Sequence, residues 1–214
     1  MAGIDSLDTL LEQELRDTYD AEKQLTKALP KLAKKATAEE LKTAFEQHLR
    51  QTEQHIERLE QVFEALELPV KSKKCDGMKN LIKEGDDMIS EAEDDATRDA
   101  VMIAAAQKVE HYEIAAYGTM RTWANLLGYG EAARLLEETL EEEKETDRTL
   151  TEIAEAFVNE ASAEEGDEEE EQASGRRMRN ARGASGRASR QQAADRGSRS
   201  RSSSRSGSSR SRSR

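Results

Sequence analysis

Lys108 to Thr119 reads Lys-Val-Glu-His-Tyr-Glu-Ile-Ala-Ala-Tyr-Gly-Thr, a helix-forming stretch that carries Glu110 and Glu113 on the edge of its apolar face. A carboxylate turned toward a core costs several kcal/mol unless it is paired, hydrogen-bonded or bound to a metal. Residues of the right chemistry to meet these two recur elsewhere: Glu22, His48, His55, Glu143 and Asp147 each interrupt or flank an apolar stripe. Carboxylate oxygen plus imidazole nitrogen is a donor set that suits iron or manganese and tolerates zinc. Two such ions bridged by carboxylates would carry out oxidation of iron(II) by oxygen or peroxide, the work of a ferroxidase or a peroxide-reducing oxidoreductase. Taken singly, each residue is better explained as a polar group in a helical core or by a small error in helix rotation.

The elements that must position them follow from periodicity. A first helix starts at Asp5 or Ser6 with the stripe Leu7, Leu11, Leu15, Leu25, Leu29 and Leu32, and Pro30 should kink its last turns. At about 100° per residue, Glu22 and Thr18 fall in the middle of that stripe. A second helix opens with the capping-box pattern Thr37-Ala38-Glu39-Glu40, runs to about Leu66 and closes at Pro69, with His48, Thr52 and His55 on its apolar face. Residues 68–95 form a long connection with one short helix near Met78 to Ser90. A third long helix covers Thr97 to Leu127 and ends at Gly128, and a fourth covers Glu131 to Val158 with Glu143 at the centre of its stripe and Asp147 one turn on.

These lengths predict an all-α chain folded as an antiparallel four-helix bundle, with one long crossover between the second and third long helices. Folding the first pair about residues 36 and 37 brings Glu22 level with the segment between His48 and His55. Folding the second pair about residue 129 brings Glu113 level with Glu143 to Asp147. Four inward ligand sites at matched heights are how such bundles build two-metal carboxylate centres. Tyr19 or Tyr112 could relay an electron, although core packing accounts for both.

Three strings carry a resemblance: Lys108-Val-Glu-His-Tyr-Glu-Ile-Ala, Asp17-Thr-Tyr-Asp-Ala-Glu-Lys-Gln-Leu and Leu140-Glu-Glu-Glu-Lys-Glu-Thr-Asp147. Over about residues 5 to 160 the chain resembles the YciE/YciF stress-response family of ferritin-like proteins. The resemblance implies a ferritin-like bundle, a two-metal centre of iron or manganese, a homodimer, and a link to oxidative or osmotic stress. It places candidate ligands on Glu22, His48, Glu110, Glu113, Glu143 and Asp147. One position departs from the family pattern: where His-x-x-Glu-Thr is expected, this chain has His48-Leu-Arg-Gln51-Thr52, so that a neutral amide replaces a carboxylate, and either metal affinity on that side is reduced or His55 substitutes.

Composition divides the 214 residues into an acidic body and a basic tail. Residues 175–214 hold 13 arginines against one acid, Asp195, a charge of +12 that leaves −24 on residues 1–174 of a chain whose net charge is −12. The expected organisation is a bundle over 1–160, an acidic linker over 161–174 and a disordered Arg/Ser-rich tail over 175–214. Such a tail would bind nucleic-acid phosphates without sequence preference, or fold back on the acidic body. The competing reading is thus a non-enzymatic dimeric scaffold with a degenerate metal site, whose tail contacts DNA or acidic partners. No stretch reads as a membrane span or signal peptide, and a single cysteine, Cys75, agrees with a reducing, cytoplasmic setting.

Overall fold

The structure is a computed structural model that describes residues 3–158. The expectations for the linker and tail fall outside the described residues. Those described form five α-helices and a closing π turn, with no strand among them: α1 Leu7–Lys35, α2 Glu39–Ala65, α3 Asp76–Glu91, α4 Asp95–Leu127, α5 Gly130–Ile153, and the turn Ala154–Val158. None of these helices is long and apolar enough to cross a membrane.

The helix ends follow local chemistry with one exception. Ser6 caps α1 by accepting the Thr9 N–H at 3.1 Å. Asp94 caps α4 by accepting the Thr97 N–H at 2.6 Å. Gly128 ends α4 in the left-handed region at φ 84°, where a side chain would be strained. Pro30 stands inside α1 without ending it. The exception is α2, whose expected capping box does not form. Its cap residue is Ala38, with no side-chain cap bond. The amides of Thr37 and Ala38 donate instead to the carboxylate of Asp99 on α4, at 3.0 and 2.7 Å. Asp99 is buried, and its carboxylate takes the Thr37 amide that a capping box would give to the Glu40 side chain.

The four long helices pack in a ring: α1 lies against α2 and α4, and α5 against α2 and α4. Each neighbouring pair runs antiparallel. Asp8 of α1 accepts from Tyr129, just past the end of α4, at 2.8 Å and Glu22 from Tyr117 of α4 a little further along; on α4 and α5, Arg121 pairs with Glu137 and Gln107 bonds Thr151. The segment between α2 and α4 therefore has to return the chain to the other end, and α3 lies along α4 and α1 as it does so. Asp20 accepts the Cys75 amide at 2.9 Å and Gln24 donates to the Cys75 carbonyl at 3.0 Å, which fastens the start of α3 to α1. Where α3 crosses α4, a Cβ on Gly85 would come within 3.0 Å of the Ala105 Cβ, so glycine permits the close approach.

The core has two apolar halves. One gathers Leu25, Leu29, Phe45, Met102, Val109 and Leu150; the other gathers Leu15, Phe63, Tyr117, Met120, Leu136 and Leu140. Between them lies a layer of buried polar side chains drawn from all four long helices.

Candidate metal centre

Each helix delivers its part of this layer by the spacing that puts residues on one face. On α2, His48, Thr52 and His55 recur at intervals of four and three, so all three turn inward. On α4, Glu110 and Glu113 are three apart and both are buried. Glu22 on α1 and Glu143 on α5 are completely buried.

The ligand atoms form two groups. His48, Glu110, Glu113 and Glu143 offer atoms within 4.8 Å of one another, and so do Glu22, His55 and Glu143. Glu143 belongs to both. The Nε2 of His48 lies 3.2 Å from Glu110 Oε1 and 3.9 Å from Glu143 Oε2. The Nδ1 of His55 lies 3.0 Å from Glu143 Oε1 and 3.6 Å from Glu22 Oε1. Despite these short distances, eight ligand atoms are buried with no hydrogen-bond partner: His48 Nε2, His55 Nδ1, one oxygen each of Glu22 and Glu110, and both oxygens of Glu113 and of Glu143. They face common centres and do not bond each other, and a cation at each centre would answer the desolvation cost. Carboxylate and imidazole donors in this number fit iron, manganese or zinc.

The far sides of the two rings are held differently. His55 Nε2 lies 2.8 Å from Glu142 Oε2, and Arg58 grips both oxygens of Glu142 at 2.9 and 3.1 Å. A proton donated from Nε2 to Glu142 leaves the Nδ1 lone pair facing the cluster, the second-sphere device that orients metal-binding histidines. His48 Nδ1 meets only the hydroxyl of Thr146, at 3.3 Å. That hydroxyl donates to the Glu142 carbonyl, so it accepts from Nδ1 and leaves Nε2 free.

Crowded buried carboxylates set the electrostatics. Burial, then the charges of Glu22, Glu143 and Glu110, raise the Glu113 carboxyl well above its usual range. Burial pushes Glu143 up to about 7, with His55 acting against the rise. Burial opposes a charge on His48, yet Glu110 and Glu143 raise it to about 9. His55 is raised to about 12, because the hydrogen bond to Glu142 and the nearby carboxylates of Glu143 and Glu22 outweigh its burial. Bonding to His55 holds Glu142 down at about 2, against its partial burial.

Six residues singled out from the sequence meet here: Glu22, His48, His55, Glu110, Glu113 and Glu143. Asp147 does not join them. Its carboxylate accepts from Gln107 at 3.3 Å and sits 3.4 Å from the exposed His111, because four residues at about 100° turn it some 40° off the line of Glu143. Gln51 lines a cavity beside His48. Neither tyrosine considered as a relay touches the cluster: Tyr19 donates to Glu60, and Tyr112 lies between Asp17 and the buried thiol of Cys75. The tyrosine that does is Tyr117, whose hydroxyl donates to Glu22 at 2.5 Å. Its spacing of four from Glu113 was the available signal.

Fold and site together define the class: an all-α protein whose helices enclose a buried carboxylate and imidazole cluster able to hold metal. The chain belongs to the family described as domain of unknown function DUF892, whose family model matches residues 6–163. It is 54% identical over 146 residues to the protein YciF of Escherichia coli K12, an overlap of 68% of this chain and 88% of that protein. The crystal structure of the Escherichia coli stress protein YciF matches with a TM-score of 0.70 and 51% identity, over 72% of this chain and 98% of that one. A structure of YcfI from Rhodopseudomonas palustris matches with a TM-score of 0.68 and 43% identity, over 69% and 94%.

Proposed function

We propose that the cluster is a two-metal carboxylate centre in a ferritin-like four-helix bundle, holding iron or manganese and acting on iron(II), peroxide or both. The observation that carries the reading is the membership of Glu143 in both ligand groups, with both its oxygens buried and unpartnered. In this reading His48, Glu110 and Glu113 would hold one ion and Glu22 and His55 the other, with Glu143 within reach of both. Bound iron or manganese supplies one-electron chemistry toward oxygen or peroxide.

The chain's own residues do the rest. The carboxylates neutralise the cations, Glu142 and Arg58 fix the His55 ring, and Tyr117 holds Glu22 in place. The apolar halves above and below keep bulk water from the layer. The relative described as a stress protein supports a stress-related role, and homodimerisation in the cytoplasm belongs to the same proposal.

The test is metal analysis of protein purified without chelators, alongside Glu113→Ala and Glu143→Ala. About two ions per chain in the parent, reduced to near zero in Glu143→Ala, is expected for a shared bridging ligand. A parent that takes no iron(II) or manganese under anaerobic titration overturns the reading. The charge of the tail favours one further role. Thirteen arginines against one acid over residues 175–214 suit non-specific contact with nucleic-acid phosphates. A DNA mobility shift that weakens with salt and vanishes on truncation at Gly175 is the expected outcome, and a shift that survives truncation refutes it.

A further inference from the structure

Two cavities reach the same end of the cluster, and the first has the more apolar walls. Both are bounded by His48 and Glu110. The first runs beneath α3 between α1 and α4, walled by Leu25, Leu29, Ile82, Ile89, Ala105 and Val109, and opens to the surface beside Lys31 and Asp86. The second lies between α2 and α5, walled by Gln47, Gln51, Glu145, Thr146 and Thr149 together with Ala44, Phe45 and Leu150. Their volumes are about 40 and 60 Å³.

Size and lining decide what each can take. A water-sized guest needs roughly 10–15 Å³, so the apolar cavity has room for a guest of two or three such units and none for an acyl chain or an aromatic ring. Its polar side chains stand at its ends, Lys31 and Asp86 at the mouth and His48 and Glu110 inside, so a guest along the walls between them meets chiefly apolar side chains. A hydrated cation has no reason to enter it, since nothing along Leu25, Leu29, Ile82 or Val109 can replace its water ligands. The second cavity offers amide carbonyls, hydroxyls and the Glu145 carboxylate, which are the oxygen donors a divalent cation exchanges for water.

We propose that the apolar cavity beneath α3 is a binding site for a small uncharged apolar molecule of dioxygen's size, brought to the His48 and Glu110 end of the cluster by a route separate from that of the metal ion. The crossover helix then has a purpose beyond connection: its Ile82 and Ile89 supply one wall of the site. What the guest meets on arrival rests on the two-metal reading. Its binding does not.

Xenon is the probe, because it occupies apolar cavities and has no polar group to be held in a polar one. Xenon NMR on the full-length, metal-free protein is expected to show saturable binding that perturbs the methyl groups of Leu25, Ile82 and Val109. Ala28→Phe fills the cavity from its edge and Ala106→Leu fills it from α4; each should lower xenon affinity by about tenfold or more. Cobalt(II) uptake, followed by absorbance, should change by less than about twofold in both variants, whereas Thr149→Trp in the polar cavity should slow uptake and leave xenon binding intact. Absence of saturable xenon binding in the parent overturns the proposal. So does xenon binding that survives both filling variants, and so does slowed cobalt uptake in Ala28→Phe or Ala106→Leu. Xenon bound as expected in a protein that takes up no metal supports the apolar site while refuting the two-metal reading.

Discussion

The two ends of the cluster use the same residue types and hold them in opposite ways. At the His55 end the ring sits in a charged brace, with Glu142 on its far nitrogen, Arg58 on Glu142, and Thr139 accepting from Arg58 at 2.7 Å. At the His48 end the ring leans on one threonine hydroxyl, and two cavities open beside it. Charge-assisted bonds are roughly twice as strong as neutral ones, so the first end is fixed and the second is free to adjust. The difference teaches that a site can be rigid where it must retain an ion and compliant where molecules enter and leave.

The strongest way to break this asymmetry is to cut the brace. Glu142→Gln should weaken metal binding by about 10- to 100-fold, the range for second-sphere partners of metal-bound histidine. Thr146→Val at the other end should cost less than about threefold. Equal losses in titrations of the two variants would erase the distinction. Next in size is an effect on the metal-free protein. Glu113 buries two oxygens with no partner, so Glu113→Gln should stabilise the apoprotein by about 1–2 kcal/mol, a rise in Tm of several degrees, while weakening the loaded form. A lower apoprotein Tm would show that Glu113 is already satisfied.

Acidity sharpens the contrast further. With His48 raised to about 9 and His55 to about 12, both rings carry a second proton, on the nitrogen facing the cluster, at neutral pH in the metal-free protein. Each must lose it before coordinating, so metal affinity falls as pH drops, by about tenfold per unit for each proton displaced. Calorimetry in buffers of different ionisation enthalpy should register proton release on loading that exceeds what the Glu113 and Glu143 carboxyls supply, and no excess if the rings start neutral. The smallest effect is expected from Gln51→Glu, which restores a carboxylate beside the polar cavity. It should tighten metal binding at the His48 end by a few-fold and leave the His55 end unchanged. Paramagnetic shifts of the two histidine rings would separate the two responses.

How much of this was legible in the sequence varies with the range of the interaction involved. The four long helices are written in leucine stripes that repeat every three or four residues, and Glu22, His48 and His55 stand out because they interrupt those stripes. Glu142 could not be found this way. It lies among solvated glutamates, and only its meeting with His55, 87 residues away, gives it a role. Tyr117 was hidden for another reason: α4 touches α1, α3 and α5, so it is buried on more than one side and no single stripe marks the inward face. The capping box at Thr37 misled because the local signal was sound and a distant carboxylate displaced it.

That displaced cap bears on how the chain folds. The amides that begin α2 stay unsatisfied until Asp99 arrives from beyond the crossover, so the α1 and α2 hairpin is incomplete as it leaves the ribosome. The same docking event that finishes the hairpin brings Glu110 and Glu113 to meet Glu22, His48 and His55. Assembly should therefore be cooperative, with half a cluster never displayed to passing ions. In native-state hydrogen exchange, the amides of Thr37 and Ala38 should open only with global unfolding, and local fraying at those two amides would refute this order of events.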